Sequence, residues 1–249
     1  MVGKANIAAH LPLDAGSPQV KAQTWRMFDR IAPSYDRLNR LISFRRDVAW
    51  RNVIARHLPQ GNALRLIDLA TGTGDVLLAL HRKTGRIAVG HGLDMSSKML
   101  DVGREKLAAV PRANHLALVR GDAGALCLAS GKYNAATMAF GIRNVPDVPA
   151  TLREIRRVLV LGGRALILEF SLPPNPLFRR IYLAYFRHVL PRIGGMVSGD
   201  YDAYRYLNES VEKFPHGSAF CRLMIDAGFH DVRAIPLTFG IVTLYRGDA

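Results

Sequence analysis

The chain has 249 residues, 49% of them hydrophobic, and its 34 basic against 20 acidic side chains give a formal charge of +14. That length and apolar share suffice for one domain with a full core, and no run approaches the roughly 18 apolar residues of a bilayer-spanning helix. Cys127 and Cys221 stand alone and the eight histidines lack ligand spacing, so neither a disulfide framework nor a metal site is expected.

The N-terminal stretch is interrupted by Lys4, His10, Pro12 and Asp14, lacks a signal-peptide core, and reads as a tail over residues 1–20. Residues 21–249 read as a single domain. Its first part, about 21–58, has helical period and precedes the first strand, which suits a helical lid with Phe28 and Tyr35 over a ligand. Asp36 in that lid suits a helix cap. Within it, residues 26–56 carry eight arginines against three aspartates.

Leu66-Ile67-Asp68-Leu69-Ala70-Thr71-Gly72-Thr73-Gly74-Asp75 is the most informative stretch. An apolar strand runs through an acid into a glycine-bearing turn, and Val76 to Leu80 begin a helix. Such a turn lets backbone come very close to a ligand at a helix N-terminus. Ile87 to Leu93 form the next strand, and Asp94 closes it with a carboxylate that suits the two hydroxyls of a ribose. Leu116 to Val119 precede Gly121-Asp122-Ala123, and Tyr133 to Phe140 precede Gly141-Ile142-Arg143-Asn144-Val145. Leu152, Ile155 and Leu159 recur with helical spacing up to Gly162-Gly163, after which Arg164 to Phe170 read as a fifth strand.

A helical insert is expected over about 172–215. Residues 171–199 contain no acid, and Leu177, Phe178, Ile181, Tyr182, Tyr185, Phe186, Val189 and Leu190 fall broadly on one side of a helix beside Arg179, Arg180 and Arg187. That face suits either packing on the sheet or contact with an anionic membrane surface. A helix over Ser218 to Asp226 and two runs at 229–237 and 240–246 complete the chain. The alternation predicts an α/β fold: a seven-stranded, mainly parallel Rossmann-like sheet with helices on both faces. Asp68, Asp94, Asp122 and Gly141 then share the rim beyond the strands' carboxyl ends, where such sheets bind ligands.

The turn lacks the third glycine of a dinucleotide fingerprint and any Walker lysine. Asp75 at its mouth would repel a pyrophosphate and tolerate a cation, which favours S-adenosyl-L-methionine. The pattern Asp68-x-Ala70-x-Gly72-x-Gly74 resembles motif I of class I methyltransferases, with alanine at the usual first glycine. From that resemblance Asp68, Gly72, Thr73, Gly74, Asp94, Met95, Asp122, Ala123, Ala139 and Tyr35 are the expected cofactor contacts.

A narrower likeness covers residues 22–246. Phe28-Asp29-Arg30-Ile31-Ala32-Pro33-Ser34-Tyr35-Asp36-x-x-Asn39 and Trp50-Arg51 resemble the N-terminal signature of the UbiE/MenG family of quinone C-methyltransferases. Phe140 to Val145, Arg157-Val158-Leu159, Glu169-Phe170-Ser171, Tyr204-Arg205-Tyr206-Leu207-x-Glu209-Ser210 and Leu237-Thr238-x-Gly240-Ile241-Val242 continue the match. Ala139 stands where serine is common, Val160-Leu161 replaces Lys-Pro, and Phe44-Arg45-Arg46-Asp47 falls in the stretch where many members carry Ser-Phe-Gly-x-His. The resemblance implies methylation of a ring carbon on a prenylated quinol, naphthoquinol or benzoquinol. Arg143 and Asn144 would orient the quinol or a water, Asp202 is a candidate base, and Phe28, Tyr204 and Tyr206 would line the quinol pocket. Arg143 has a structural alternative, an ion pair with Asp147. A cytoplasmic enzyme touching the inner face of the membrane, with a homodimer as one assembly, is the corresponding expectation. An O- or N-methyltransferase acting on a soluble aromatic, and a basic nucleic-acid-binding module with a degenerate nucleoside site, are the rival readings. No basic tract or nucleic-acid signature supports the latter, so no nucleic acid partner is expected.

Overall fold

The computed structural model describes residues 23–190, 192 and 201–249, with only the backbone of 201–204. Two helices, α1 (Thr24–Ile42) and α2 (Arg46–His57), precede the sheet. Then come β1 (Leu64–Leu69), α3 (Asp75–Lys83), β2 (Ile87–Asp94), α4 (Ser97–Ala108), β3 (Leu116–Arg120), β4 (Tyr133–Ala139), α5 (Val148–Val158) and β5 (Leu159–Phe170). The remainder is α6 (Pro176–Ala184), a π-helical turn (Tyr185–Val189), α7 (Tyr201–Lys213), α8 (Ser218–Asp226), β6 (His230–Leu237) and β7 (Val242–Asp248). The sheet order is β3-β2-β1-β4-β5-β7-β6, with β7 antiparallel to both of its neighbours and the other pairings parallel. The seven-stranded α/β expectation holds.

Both faces of the sheet are covered, so its central strands are apolar throughout rather than alternating with polar residues. In β1, Leu66 joins the core beneath α2 and α3 while Ile67 joins the opposite core beneath α5 and α8. In β5, Leu166 and Leu168 face the first core, and Ala165 and Ile167 the second. A third cluster forms where Ile31 and Leu38 of α1 meet Tyr182 and Phe186.

Two local expectations are corrected. Leu159 belongs to β5, paired with Tyr133, and not to the preceding helix. The glycine pair is a bulge inside this long strand, where Gly162 has φ +75° and a Cβ on Gly163 would lie 2.8 Å from the carbonyl oxygen of Val160. The apolar residues of 177–190 do not share one face: Tyr182, Phe186 and Leu190 pack inward, whereas Leu177, Ile181 and Val189 are exposed. The inward set recurs every four residues from Tyr182 to Leu190, and the exposed set lies on a neighbouring stripe of the same helical run.

Candidate active site

The carboxyl ends of β1, β2, β3 and β4 meet at a cavity of about 180 Å³ lined by Gly72, Asp94, Met95, Asp122, Ala123 and Ala139, and closed by Phe28 and Tyr35 of α1. The backbone here is shaped by strain. Ala70, at φ +49°, adopts the left-handed conformation for which glycine would be the unstrained choice, and Gly72 and Gly74 follow at +56° and +76°. A Cβ at Gly72 would meet no atom within 4 Å, so space over that peptide is open. Gly141 is tied to this loop by proximity, since a Cβ there would sit 2.5 Å from the Cβ of Ala70.

Asp94 lines the cavity and is anchored from behind, its Oδ2 accepting from the Gly72 amide at 2.8 Å and its Oδ1 from the Ser96 amide at 2.8 Å. Burial raises its pKa despite these donors. Each oxygen keeps lone-pair capacity for a hydroxyl, as a ribose diol needs. Open space over glycine backbone, a diol acceptor and a largely apolar wall fit a nucleoside cofactor.

Not every expected contact reaches this cavity. Asp68 is fully buried beneath the loop, accepting from the hydroxyls of Thr71 and Thr137 at 2.6 Å each, and is not among the lining residues. Its role in the geometry is to hold the turn. Thr73 also points away, donating to Asp36 at 2.8 Å, and Gly74 caps α3. Asp75, expected to tolerate a cation, does not line the cavity; the cations it meets are the chain's own, Arg40 at 2.8 Å and Lys106. Burial opposes its ionisation, yet the charges of Arg51 and Lys106 and its hydrogen bonds hold its pKa down to about 2. Asp36 caps nothing; with Arg40 and Lys106 it fastens α1 to the cofactor loop. Asp29 fastens the same helix to the hydroxyl of Ser96, 2.6 Å away.

Burial pushes the Asp68 carboxyl up to about 7. Between the ordinary carboxylate range and that value the folded chain holds a proton that the unfolded chain has lost. This group's contribution to stability is therefore greatest at low pH and is lost as pH rises towards 7. Asp68→Asn is expected to flatten this dependence. Thermal midpoints of both proteins, followed from roughly pH 4 to 7 without cofactor, check it; parallel curves would contradict the assignment.

A second cavity of about 70 Å³ adjoins the first, and Phe28, Tyr35 and Phe140 line both. Its wall includes Arg143, Trp50, Phe170 and Tyr206. Arg143 does not pair with Asp147, which caps α5 by accepting from the Ala150 amide. It donates instead to Glu169 at 2.7 Å and to the Phe140 carbonyl at 2.7 Å, with the hydroxyl of Ser210 3.3 Å from Nε. Glu169 is fully buried. Asn144 lines the first cavity and accepts from the Tyr206 hydroxyl at 3.2 Å, so the two cavities are joined by a hydrogen bond as well as by shared walls. The side chains of Asp202 and Tyr204 lie outside the described residues.

Glu169 was not singled out from the sequence as a site residue, although it ends a strand on the same rim as the three recognised acids. Asp47, Trp50 and Arg51 also line the smaller cavity, a placement the sequence does not show. They come from α2, and no local pattern shows that this helix meets β4 and β5.

The profile of the ubiE/COQ5 methyltransferase family matches residues 18–248. The ubiquinone/menaquinone biosynthesis C-methyltransferase UbiE of Syntrophotalea carbinolica is 49% identical over 221 residues, covering 89% of this chain and 92% of that protein. The demethylmenaquinone methyltransferase of Thermus thermophilus is 44% identical over 223 residues, covering 89% and 99%. An S-adenosylmethionine-dependent methyltransferase structure from Thermotoga maritima shares the fold, with a TM-score of 0.64 at 20% identity over 90% of this chain and 99% of that one. The chain belongs to the ubiE/COQ5 methyltransferase family, S-adenosylmethionine-dependent C-methyltransferases of quinone biosynthesis.

Proposed function

We propose that this chain methylates a ring carbon of a prenylated quinol, with S-adenosylmethionine in the larger cavity and the quinol ring in the smaller one. The observation that carries this is the adjoining pair of cavities, one lined by the Asp94 carboxylate and the other by a buried guanidinium among aromatic rings. S-adenosylmethionine, when bound, supplies a methyl group already activated by its positively charged sulfur. Asp94 receives the ribose hydroxyls, Met95, Asp122 and Ala123 flank the base, and Gly72 and Ala139 leave room for the rest. Phe28 and Tyr35, on the lid of about residues 21–58, close over both ligands.

The remaining task is to orient an electron-rich ring and stabilise the oxygen that pushes density onto its carbon. Arg143 suits it: Glu169 and the Phe140 carbonyl hold one end of its guanidinium, and the aromatic wall excludes the water that would screen its charge. Asn144 and Tyr206 join the two cavities and position the ring against the methyl donor. On the acceptor side Tyr204 adds to the wall. Asp202 takes the proton that leaves the ring carbon, directly or through water. The exposed apolar residues Leu177, Ile181 and Val189 of the insert of about 172–215 support peripheral contact with the cytoplasmic face of a membrane, where a prenylated substrate resides.

The test uses purified protein, isotopically labelled S-adenosylmethionine, and two separate reduced short-prenyl acceptors, a demethylnaphthoquinol and a benzoquinol. Label on a ring carbon of either is the expected result and identifies the ring. Cofactor binding without transfer to either would redirect the reading to a methyltransferase for a soluble aromatic.

A further inference from the structure

We infer that the smaller cavity opens directly onto an anionic lipid bilayer, through a portal framed by Phe44 and Phe239. This rests on the quinol reading and deepens it by assigning the route of entry. Phe44 is 79% exposed and Phe239 80%, the two most exposed phenylalanines among the described large hydrophobic side chains. Both have left-handed backbone, at φ +50° and +57°, and so do their neighbours Arg45 at +61° and Thr238 at +45°. A non-glycine residue held there costs on the order of 1–2 kcal/mol. Two separate loops thus pay strain in order to hold an aromatic ring out in water, which a soluble surface gains nothing from.

Both loops are fastened to the acceptor cavity. Ser43, next to Phe44, lines it together with Ile42, and both residues are half-exposed. The carbonyl of Ile42 accepts from the hydroxyl of Tyr185 at 3.1 Å, which ties this corner to the end of α6. Trp50 also lines the cavity, and its indole donates to the hydroxyl of Thr238, next to Phe239, at 2.7 Å. Phe239 then meets Phe178 of α6, ring to ring at 5.4 Å, beside an open groove that includes exposed Leu177 and Ile181. The α1–α2 corner and the β6–β7 turn are thus both tied to the wall of the acceptor cavity and to α6 or the turn that follows it.

Charge identifies the occupant. Residues 37–46, 171–190 and 237–244 contain no acid, and Arg37, Arg45, Arg46 and Arg180 are exposed on these segments. An apolar rim on segments that carry these exposed guanidinium groups complements anionic headgroups over an acyl layer. A second copy would set the same cations against one another across a two-fold axis, which disfavours a self-interface.

The test is partitioning of the full chain onto vesicles of phosphatidylglycerol and phosphatidylcholine, by sedimentation, for the wild type and for a Phe44→Asn/Phe239→Asn double variant. Asparagine tolerates left-handed backbone, so the variant is expected to keep its thermal midpoint while losing about tenfold or more in vesicle partitioning. Turnover of a water-soluble short-prenyl acceptor should be unchanged, and turnover of a long-prenyl acceptor embedded in vesicles should fall with partitioning. Quenching of a Phe239→Trp protein by brominated lipid should exceed that of the wild type. A wild type that ignores vesicles, a double variant that binds them equally, or a wild-type dimer that the substitutions dissociate would each overturn the portal. Vesicle binding by a wild type that methylates neither quinol would overturn the quinol reading, and the portal as a substrate route with it, while leaving the membrane contact standing.

Discussion

Arg143→Ala is expected to lower kcat for quinol methylation by about 10²–10³-fold and to destabilise the fold by about 3–5 kcal/mol. The two effects have separate causes. The catalytic loss follows from removing a fixed cation beside the oxygen that gathers charge. The stability loss follows from Glu169, fully buried and ion-paired with Arg143 at 2.7 Å, which would be left as an uncompensated carboxylate. An Arg143→Met/Glu169→Leu pair separates them. With both charges replaced by apolar groups of similar size, most of the lost stability should return, because desolvating an ion pair costs about as much as the pairing restores. The kcat should stay low. Arg143→Lys keeps the charge but not the planar group whose Nη1 reaches Glu169 and the Phe140 carbonyl while its Nε donates to the Ser210 hydroxyl, so partial activity is expected. Chemical denaturation and steady-state kinetics on the four proteins decide the matter. Near wild-type turnover in the apolar pair would show that Arg143 is only a structural partner of Glu169.

The sequence was most readable where function and local geometry coincide. Strand, acid and glycine turn follow one another within ten residues at Leu66–Asp75, and the same logic placed Asp94 and Asp122 on one rim. Each is a short-range signal: an apolar run sets the strand, and the next few residues set what stands at its end. The roles within that rim were less readable. Asp68 and Asp94 look alike in sequence, yet one lies under the turn holding two threonines and the other faces the cavity. Which of them meets a ligand depends on the register of β1 between β2 and β4, and no local pattern carries that. The partners of Arg143 are hidden from the sequence for a related reason. Asp147 is four residues away along the chain, whereas Glu169 becomes its neighbour through the parallel pairing of β4 with β5. Charge was misleading too. Two of the eight arginines of residues 26–56 are internal wiring, Arg40 and Arg51 neutralising Asp47 and Asp75. The exposed remainder is what a surface partner would meet.

Asp94→Ala is expected to weaken S-adenosylmethionine binding by about 10²-fold or more while leaving the KM for the quinol within a few-fold of wild type. Two hydrogen bonds from a diol to an ionised carboxylate contribute about 1.5–3 kcal/mol each. The substitution also releases the Gly72 amide, so the turn itself loosens and part of the effect is loss of preorganisation. Asp94→Asn tests that division. Its amide oxygen can still accept from Gly72 or from one hydroxyl, so it should sit between alanine and wild type. Acid should act in the same direction. Burial raises the Asp94 pKa, so its carboxylate gains a proton at a higher pH than an exposed aspartate would, and cofactor affinity should begin to fall there. That fall should be absent in Asp94→Asn, which has no proton to gain. Calorimetric titration of the cofactor across the acid range, run on all three proteins without acceptor, gives both results at once. Unchanged affinity in Asp94→Ala would remove the diol from this carboxylate, and a pH response surviving in Asp94→Asn would assign the titration to another group.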